Sequence, residues 1–301
     1  MLRTEGIFSL ISRTIRRYRL NREDGNPGLS HKKDVIGFYK FVLEPDAGSL
    51  DELPSEIFHK TINWFIPDFG IGSGGHLNIF RYINFLENLG YTNTIYIVGN
   101  HRHRSAQHAE KLICKNFFDL KAKVVFNAED LPTATFSFAT SWITAYALRG
   151  FGNTAHKLYF VQDYEPYFYP HGSEYSFAEE TYRFGFTGVC AGNWLAEKLT
   201  NDFGMTCHSL GFSFDVDLYK KTQRREPEII QVFCYCRPPT ARRGIEAALL
   251  ALSIVGDKIP NAKFIFAGWD MSEYHFPYPH LNAGTLSLEA LPDLYSQCDV
   301  G

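Results

Sequence analysis

Two rhythms of apolar positions alternate along the chain. Short runs in which nearly every residue is apolar or β-branched are followed by longer stretches whose apolar residues recur every three or four positions. The first rhythm predicts strands buried on both faces, and the second predicts amphipathic helices. Residues 62–66 read as a strand and 75–89 as a helix closed by Gly90. The pair repeats at 94–98 and 105–118, and 124–126 adds a short strand. It returns at 135–139 with 142–148, at 157–162 with 175–184, and at 187–191 with 194–203, where Gly204 supplies the cap. A second series starts at 229–236 and 245–252 and continues through 263–267 and 288–297.

Buried strands alternating with amphipathic helices imply parallel sheets covered on both faces, so the fold class is α/β with two Rossmann-like domains. We divide the chain into 1–55, a basic amphipathic helix and its connector; 56–218, the first α/β domain; and 219–301, a second one. The charged, Pro-containing stretch 220–228 reads as the linker between the domains. Residues 298–301 read as the opening of another buried strand, and doubly wound sheets place about five or six strands around one switch point. The second domain is therefore expected to be truncated at its C-terminus.

With 301 residues, two domains are the natural expectation. The formal charge of -3 argues against a nucleic-acid coat, which needs a net basic surface. Six cysteines without a C-x-x-C spacing suit a reducing cytoplasm, and Cys234 and Cys236 alternate onto one face of a strand as buried thiols. No apolar run approaches the roughly 20 residues that span a bilayer. Near the N-terminus, Ile7, Leu10, Ile11, Ile15 and Tyr18 recur at helical spacing among Arg13, Arg16, Arg17 and Arg19. Such a helix suits peripheral contact with anionic lipid at the inner face of the plasma membrane, and equally a helix packed on its own protein.

Candidate chemistry gathers at two strand-to-helix junctions. After the strand 229–236 come Arg237, Arg242, Arg243 and Gly244, three guanidinium groups at the start of a helix. Free N–H groups and the helix dipole favour an anion there, and Arg adds bidentate donors for phosphate oxygens. A solvated turn is the plain alternative. After the strand 62–66, glycines at 70, 72, 74 and 75 allow close backbone approach at another helix start. Their spacing is not G-x-G-x-x-G and no G-K-[ST] follows, so neither NAD nor a P-loop nucleotide fits.

Other residues are weighed beside these. Asp163 and Glu165, just past a strand end, are candidates for orienting an acceptor hydroxyl, or ordinary surface carboxylates. Tyr164, Tyr167, Phe168 and Tyr169 suit stacking on a sugar ring, or loop packing. Asp215 and Asp217 form a D-x-D, but two carboxylates supply too few oxygens for a hard cation, and His101, His103 and His108 read as solvated.

In order and type these motifs resemble the retaining glycosyltransferases of family 4, which have the two-Rossmann-domain (GT-B) fold. The segment 237–244 resembles their R-x4-K-G diphosphate loop, with one extra residue and Arg243 in the lysine's place, which leaves open whether Arg242 or Arg243 is the second phosphate ligand. Residues 70–75 resemble the first-strand loop, 210–219 the domain exit, and 264–268 with 288–300 the donor-domain core. The stretch 159–166 resembles a bacterial subgroup that transfers rhamnose in surface-polysaccharide assembly.

The resemblance implies metal-free, cofactor-free sugar transfer from a nucleoside diphosphate donor, with dTDP-rhamnose the candidate, to a saccharide or lipid-linked glycan. Arg237, Arg243 and the backbone of Gly74 and Gly75 would hold the diphosphate. The family's E-x7-E motif falls beyond Gly301. Two other functions fit the fold: a sugar-nucleotide epimerase and a non-catalytic carbohydrate-binding protein.

Overall fold

A computed structural model describes residues 34–52, 60–211, 214–220, 228–287 and 290–301. The N-terminal amphipathic helix, the connector at 21–30, most of the 220–228 linker and the first two residues of the helix expected at 288–297 lie outside these. Contacts divide the chain into Met1–Leu43 and Glu44–Gly301. In the first unit the described residues form a short helix, α1 (Val35–Tyr39), whose start is capped by Asp34.

In Glu44–Gly301 the larger sheet has seven parallel strands, β1 (Thr61–Ile66), β2 (Thr92–Ile97), β3 (Lys123–Val125), β4 (Ala134–Ala139), β5 (Thr154–Val161), β6 (Thr187–Ala191) and β7 (Cys207–Leu210). Their spatial order is β3-β2-β1-β4-β5-β6-β7. The chain builds outward from β1 in one direction and from β4 in the other, so the switch point lies between these two strands, where open sheets of this kind bind ligands at strand C-termini.

Side-chain alternation assigns each face of the sheet to its own helices. Ile62, Trp64 and Ile66 of β1 pack under α2 (Gly74–Asn88) and α3 (Ala106–Asn116) through Ile79, Phe80, Ile83, Ala109 and Ile113. Phe65, Ala139, Tyr159 and Val161 face the other way, toward α4 (Trp142–Arg149) and α6 (Asn193–Phe203), between which α5 (Ser173–Glu180) falls in the chain. Each fully buried side chain of this size contributes about 1.5–3 kcal/mol, so the two clusters fix which way every strand faces. Trp64 stacks on Phe138 at 4.5 Å and donates its indole N–H to Asn93 Oδ1 at 2.9 Å, so its one polar atom is satisfied in the core.

The smaller sheet is also parallel, ordered β10-β9-β8 from β8 (Ile230–Tyr235), β9 (Ala262–Ala267) and β10 (His280–Gly284). The helix α7 (Ile245–Lys258) packs Ile245, Leu249, Leu252 and Val255 on it, and α8 (Ala290–Gln297) follows. The expected strand opening at 298–301 is present as a parallel bridge between Val232 and Val300. Sequence rhythm did not reveal β7 and β10. Both are short edge strands with few apolar residues.

Candidate functional site

The first glycine junction is built by the end of β1. Gly72 has φ 85°, a left-handed turn that suits glycine, and Ser73 then caps α2, accepting from the His76 N–H at 3.5 Å. Gly74 and Gly75 are the exposed first residues of α2, where backbone N–H groups have no partner within the helix. A Cβ placed on Gly74 would meet nothing within 4 Å. The helix start is therefore open to a ligand.

The second junction follows β8. Thr240 N–H turns back to Arg237 O at 2.9 Å, and Ala241–Arg243 forms one 3-10 turn. Gly244 then takes φ 60° and starts α7 with no side chain capping its first N–H groups. Arg237, Arg242 and Arg243 are all exposed. The Arg243 guanidinium lies 5.6 Å over the Tyr235 ring.

The loop after β5 joins the two junctions. Gln162 donates to Gly75 O at 3.2 Å and accepts from Asn78 at 3.3 Å, which ties the loop to the start of α2. The next residue, Asp163, accepts its own loop's Tyr164 N–H at 2.8 Å through Oδ1 and holds Arg242 Nη1 at 2.7 Å through Oδ2. Arg242 also lies 4.3 Å over the ring of Phe168, from the same loop. The glycine junction, the β5 loop and the arginine junction thus form one continuous set of contacts.

Residues 107–190 match a family model described as the N-terminal domain of WsaF. The O-antigen biosynthesis protein RfbC of Myxococcus xanthus is 30% identical over 251 residues, covering 80% of this chain and 20% of that protein, so the chain spans about a fifth of its curated relative. Among solved structures, sucrose-phosphate synthase from Thermosynechococcus elongatus aligns with TM-score 0.55 at 12% identity, covering 80% of this chain and 74% of that one. HepE of Anabaena, solved in complex with UDP and glucose, aligns with TM-score 0.50 at 14% identity over 80% and 73%. A glycosyltransferase from Rickettsia africae gives 0.51 at 14% over 80% and 72%. The chain shares the fold of these solved structures. At these identities the solved structures speak for the fold, a two-sheet α/β architecture of the GT-B kind.

Within this fold, Asp163 and Glu165 part company. Asp163 is half-buried, whereas Glu165 is only 7% exposed, in contrast to the expected acceptor-facing position. Its two oxygens accept from the Trp142 N–H and the Tyr159 hydroxyl, both at 2.9 Å, and its own N–H donates to the Tyr182 hydroxyl oxygen. It satisfies the start of α4 from inside the core. Burial, more than any neighbouring charge, pushes its carboxyl up to about 7, opposed by those two donors.

The aromatic run divides in the same way. Tyr164 is buried and stacks on Tyr182 at 5.6 Å; Tyr169 accepts the Trp142 indole N–H; Tyr167 and Phe168 remain exposed. His103 is not solvated as expected. It stacks on Phe69 at 4.3 Å with its Nε2 3.0 Å from Asp68 Oδ1, and desolvation holds its pKa below the usual imidazole value. In the D-x-D, the Asp215 carboxylate accepts the N–H groups of Asp217 and Leu218, an Asx turn.

Sequence reasoning missed Gln162 and the cleft beside it. A cavity of about 320 Å³ runs along α2 at the C-terminal ends of β5 to β7, lined by Asn78, Arg81, Tyr82, Phe85, Phe160 and Gln162 among others. The available signal was positional: Gln162 directly follows a strand C-terminus in a parallel sheet. Among the described residues no helix is long and apolar enough to cross a membrane.

Proposed function

We propose that the chain carries the acceptor domain and part of the donor domain of a glycosyltransferase of surface-polysaccharide assembly. One observation carries this reading: an open glycine-led helix start and an exposed arginine loop are joined through Gln162, Asp163 and Arg242. Likeness to an O-antigen biosynthesis protein supports the polysaccharide setting.

In the transfer, the bond from the sugar's anomeric carbon to the diphosphate oxygen breaks. A bond to the acceptor hydroxyl oxygen forms, and the hydroxyl proton leaves with the diphosphate. Arg237, Arg243 and the N–H groups of Gly74 and Gly75 would stabilise the charge that grows on the leaving group, as fixed positive charge and oriented dipoles do most effectively away from bulk water. In this reading transfer is retaining and independent of a divalent ion, and the donor is dTDP-rhamnose. The resemblance of 159–166 to rhamnosyltransferases supports the sugar.

Calorimetric titration with dTDP, UDP and GDP in EDTA tests the reading. Selective binding of dTDP supports it. Selective binding of UDP or GDP keeps the transferase and removes rhamnose, and binding of none points to the glycan-binding alternative. The basic segment 1–20 would bring the enzyme to its membrane-borne acceptor, and sedimentation with anionic vesicles should weaken at least tenfold on its deletion, about the effect of several basic residues near a charged surface.

A further inference from the structure

The two adjacent arginines stand in different surroundings. Arg242 is held at 2.7 Å by a carboxylate of the larger sheet's β5 loop and stacked at 4.3 Å on that loop's Phe168, with its side chain 26% exposed. Arg243, one residue on, lies 5.6 Å over the ring of Tyr235, from the strand that leads into its own loop, and among the described residues no carboxylate pairs with it or with Arg237. To reach a phosphate Arg242 would have to leave a charge-assisted hydrogen bond and an aromatic face together, whereas Arg243 would leave only a ring. A planar guanidinium suits this double duty, with its edge on a carboxylate and its face on an aromatic ring.

We infer that Arg242 is a positioning residue that bridges the β5 loop and the arginine loop through Asp163 and Phe168, while Arg237 and Arg243 hold the diphosphate. The inference rests on the donor-binding reading above and settles which of the two arginines serves the donor. The bridge would also fix the Asp163 carboxylate, and so the direction in which that loop faces an acceptor.

Opposite signs separate this assignment from its rival. If Arg242 bound phosphate, Asp163→Asn would release it and tighten nucleotide binding, while Arg242→Ala would weaken it. For a bridge, the two substitutions remove the same contact. Both should then change affinity for the bound nucleotide in the same direction and by no more than about threefold, within the range of a partly exposed pair. The double variant should do no more than either single one, and the exchanged pair Asp163→Arg with Arg242→Asp should restore wild-type affinity. Arg243→Ala should lose at least about tenfold, the scale of one charge-assisted phosphate contact.

The experiment is calorimetric titration of the full chain and these variants with dTDP, UDP and GDP. Tighter binding by Asp163→Asn, or a loss in Arg242→Ala equal to that in Arg243→Ala, overturns the bridge. Wild type binding no nucleotide overturns the donor-binding reading instead. The bridge is then read from thermal unfolding, where strictly additive effects of Arg242→Ala and Asp163→Asn on the midpoint overturn it and a shared effect supports it.

Discussion

The two junctions, glycine and arginine, are built in different ways. On the glycine side, polar groups contact their own part of the fold: Glu165 is buried between Trp142 and Tyr159, His103 lies against Asp68 and Phe69, and Gln162 reaches Gly75 and Asn78. On the arginine side, Arg242 and Arg243 stand on one 3-10 turn that leads into a helix, with Arg237 exposed just before it, and of the three only Arg242 has a carboxylate partner among the described residues. One side has spent its polar groups on its own architecture and offers a ligand backbone dipoles. The other keeps Arg237 and Arg243 without a carboxylate partner among the described residues. Perturbing the first should alter stability and its pH dependence, and perturbing the second should alter binding.

The largest effect is expected in the core on the glycine side. Glu165 titrates near 7 in the folded chain against an ordinary value of 4.5, so between these values the native state binds more protons than the unfolded one. The contribution of this group to stability is fully present below about 4.5 and is lost as pH rises through 7, by at most roughly 3 kcal/mol. Glu165→Gln keeps an oxygen for the Trp142 N–H and does not titrate. Denaturant midpoints from pH 4.5 to 8 should therefore fall less steeply in the variant, while nucleotide affinity stays unchanged. An unaltered slope would show that the buried carboxyl does not govern the pH dependence.

Arg243→Ala is the converse. It should weaken nucleotide binding by about 2–3 kcal/mol, the worth of one hydrogen-bonded charge, and leave thermal unfolding within about 0.5 kcal/mol because the side chain is exposed. A matching loss of stability would mean that the arginine side is also structural.

How much of this contrast could be read from the sequence depends on burial. The strand at Thr187–Ala191 and the helix starting at Trp142 were legible because packing between helices and sheet forces a strong apolar rhythm, whereas Cys207–Leu210 and His280–Gly284 lie at sheet edges where little forces one. The arginine loop was legible because charge at a helix start is unusual chemistry in its own right. Asp163 and Glu165 were not separable, since both are carboxylates in one loop. Only the 3-10 turn Glu165–Phe168, which buries Glu165 beside α4, sets them apart. Arg242 and Arg243 present the same difficulty. Their difference lies in Phe168 and Asp163, more than 70 residues earlier in the chain.

The smallest effects come from making one substitution on both sides. Gly244 sits at φ 60°, where a Cβ crowds the following carbonyl, so Gly244→Ala should cost about 1–2 kcal/mol and shift the adjacent Arg243 as the turn relaxes. Gly75 lies in the first turn of a regular helix with no such backbone angle, and a Cβ there would come 3.6 Å from the Gln162 amide nitrogen, an ordinary contact. Alanine also favours the helix over glycine, so Gly75→Ala should stabilise the fold or leave it within about 0.5 kcal/mol of wild type. Paired denaturation curves with nucleotide titrations would read both. If Gly75→Ala nonetheless weakened nucleotide binding as much as Arg243→Ala, close approach of the diphosphate to the start of α2 would rank with the arginines in holding the donor. If it left binding intact, the glycine side would contribute dipoles at a distance and the arginine side most of the affinity.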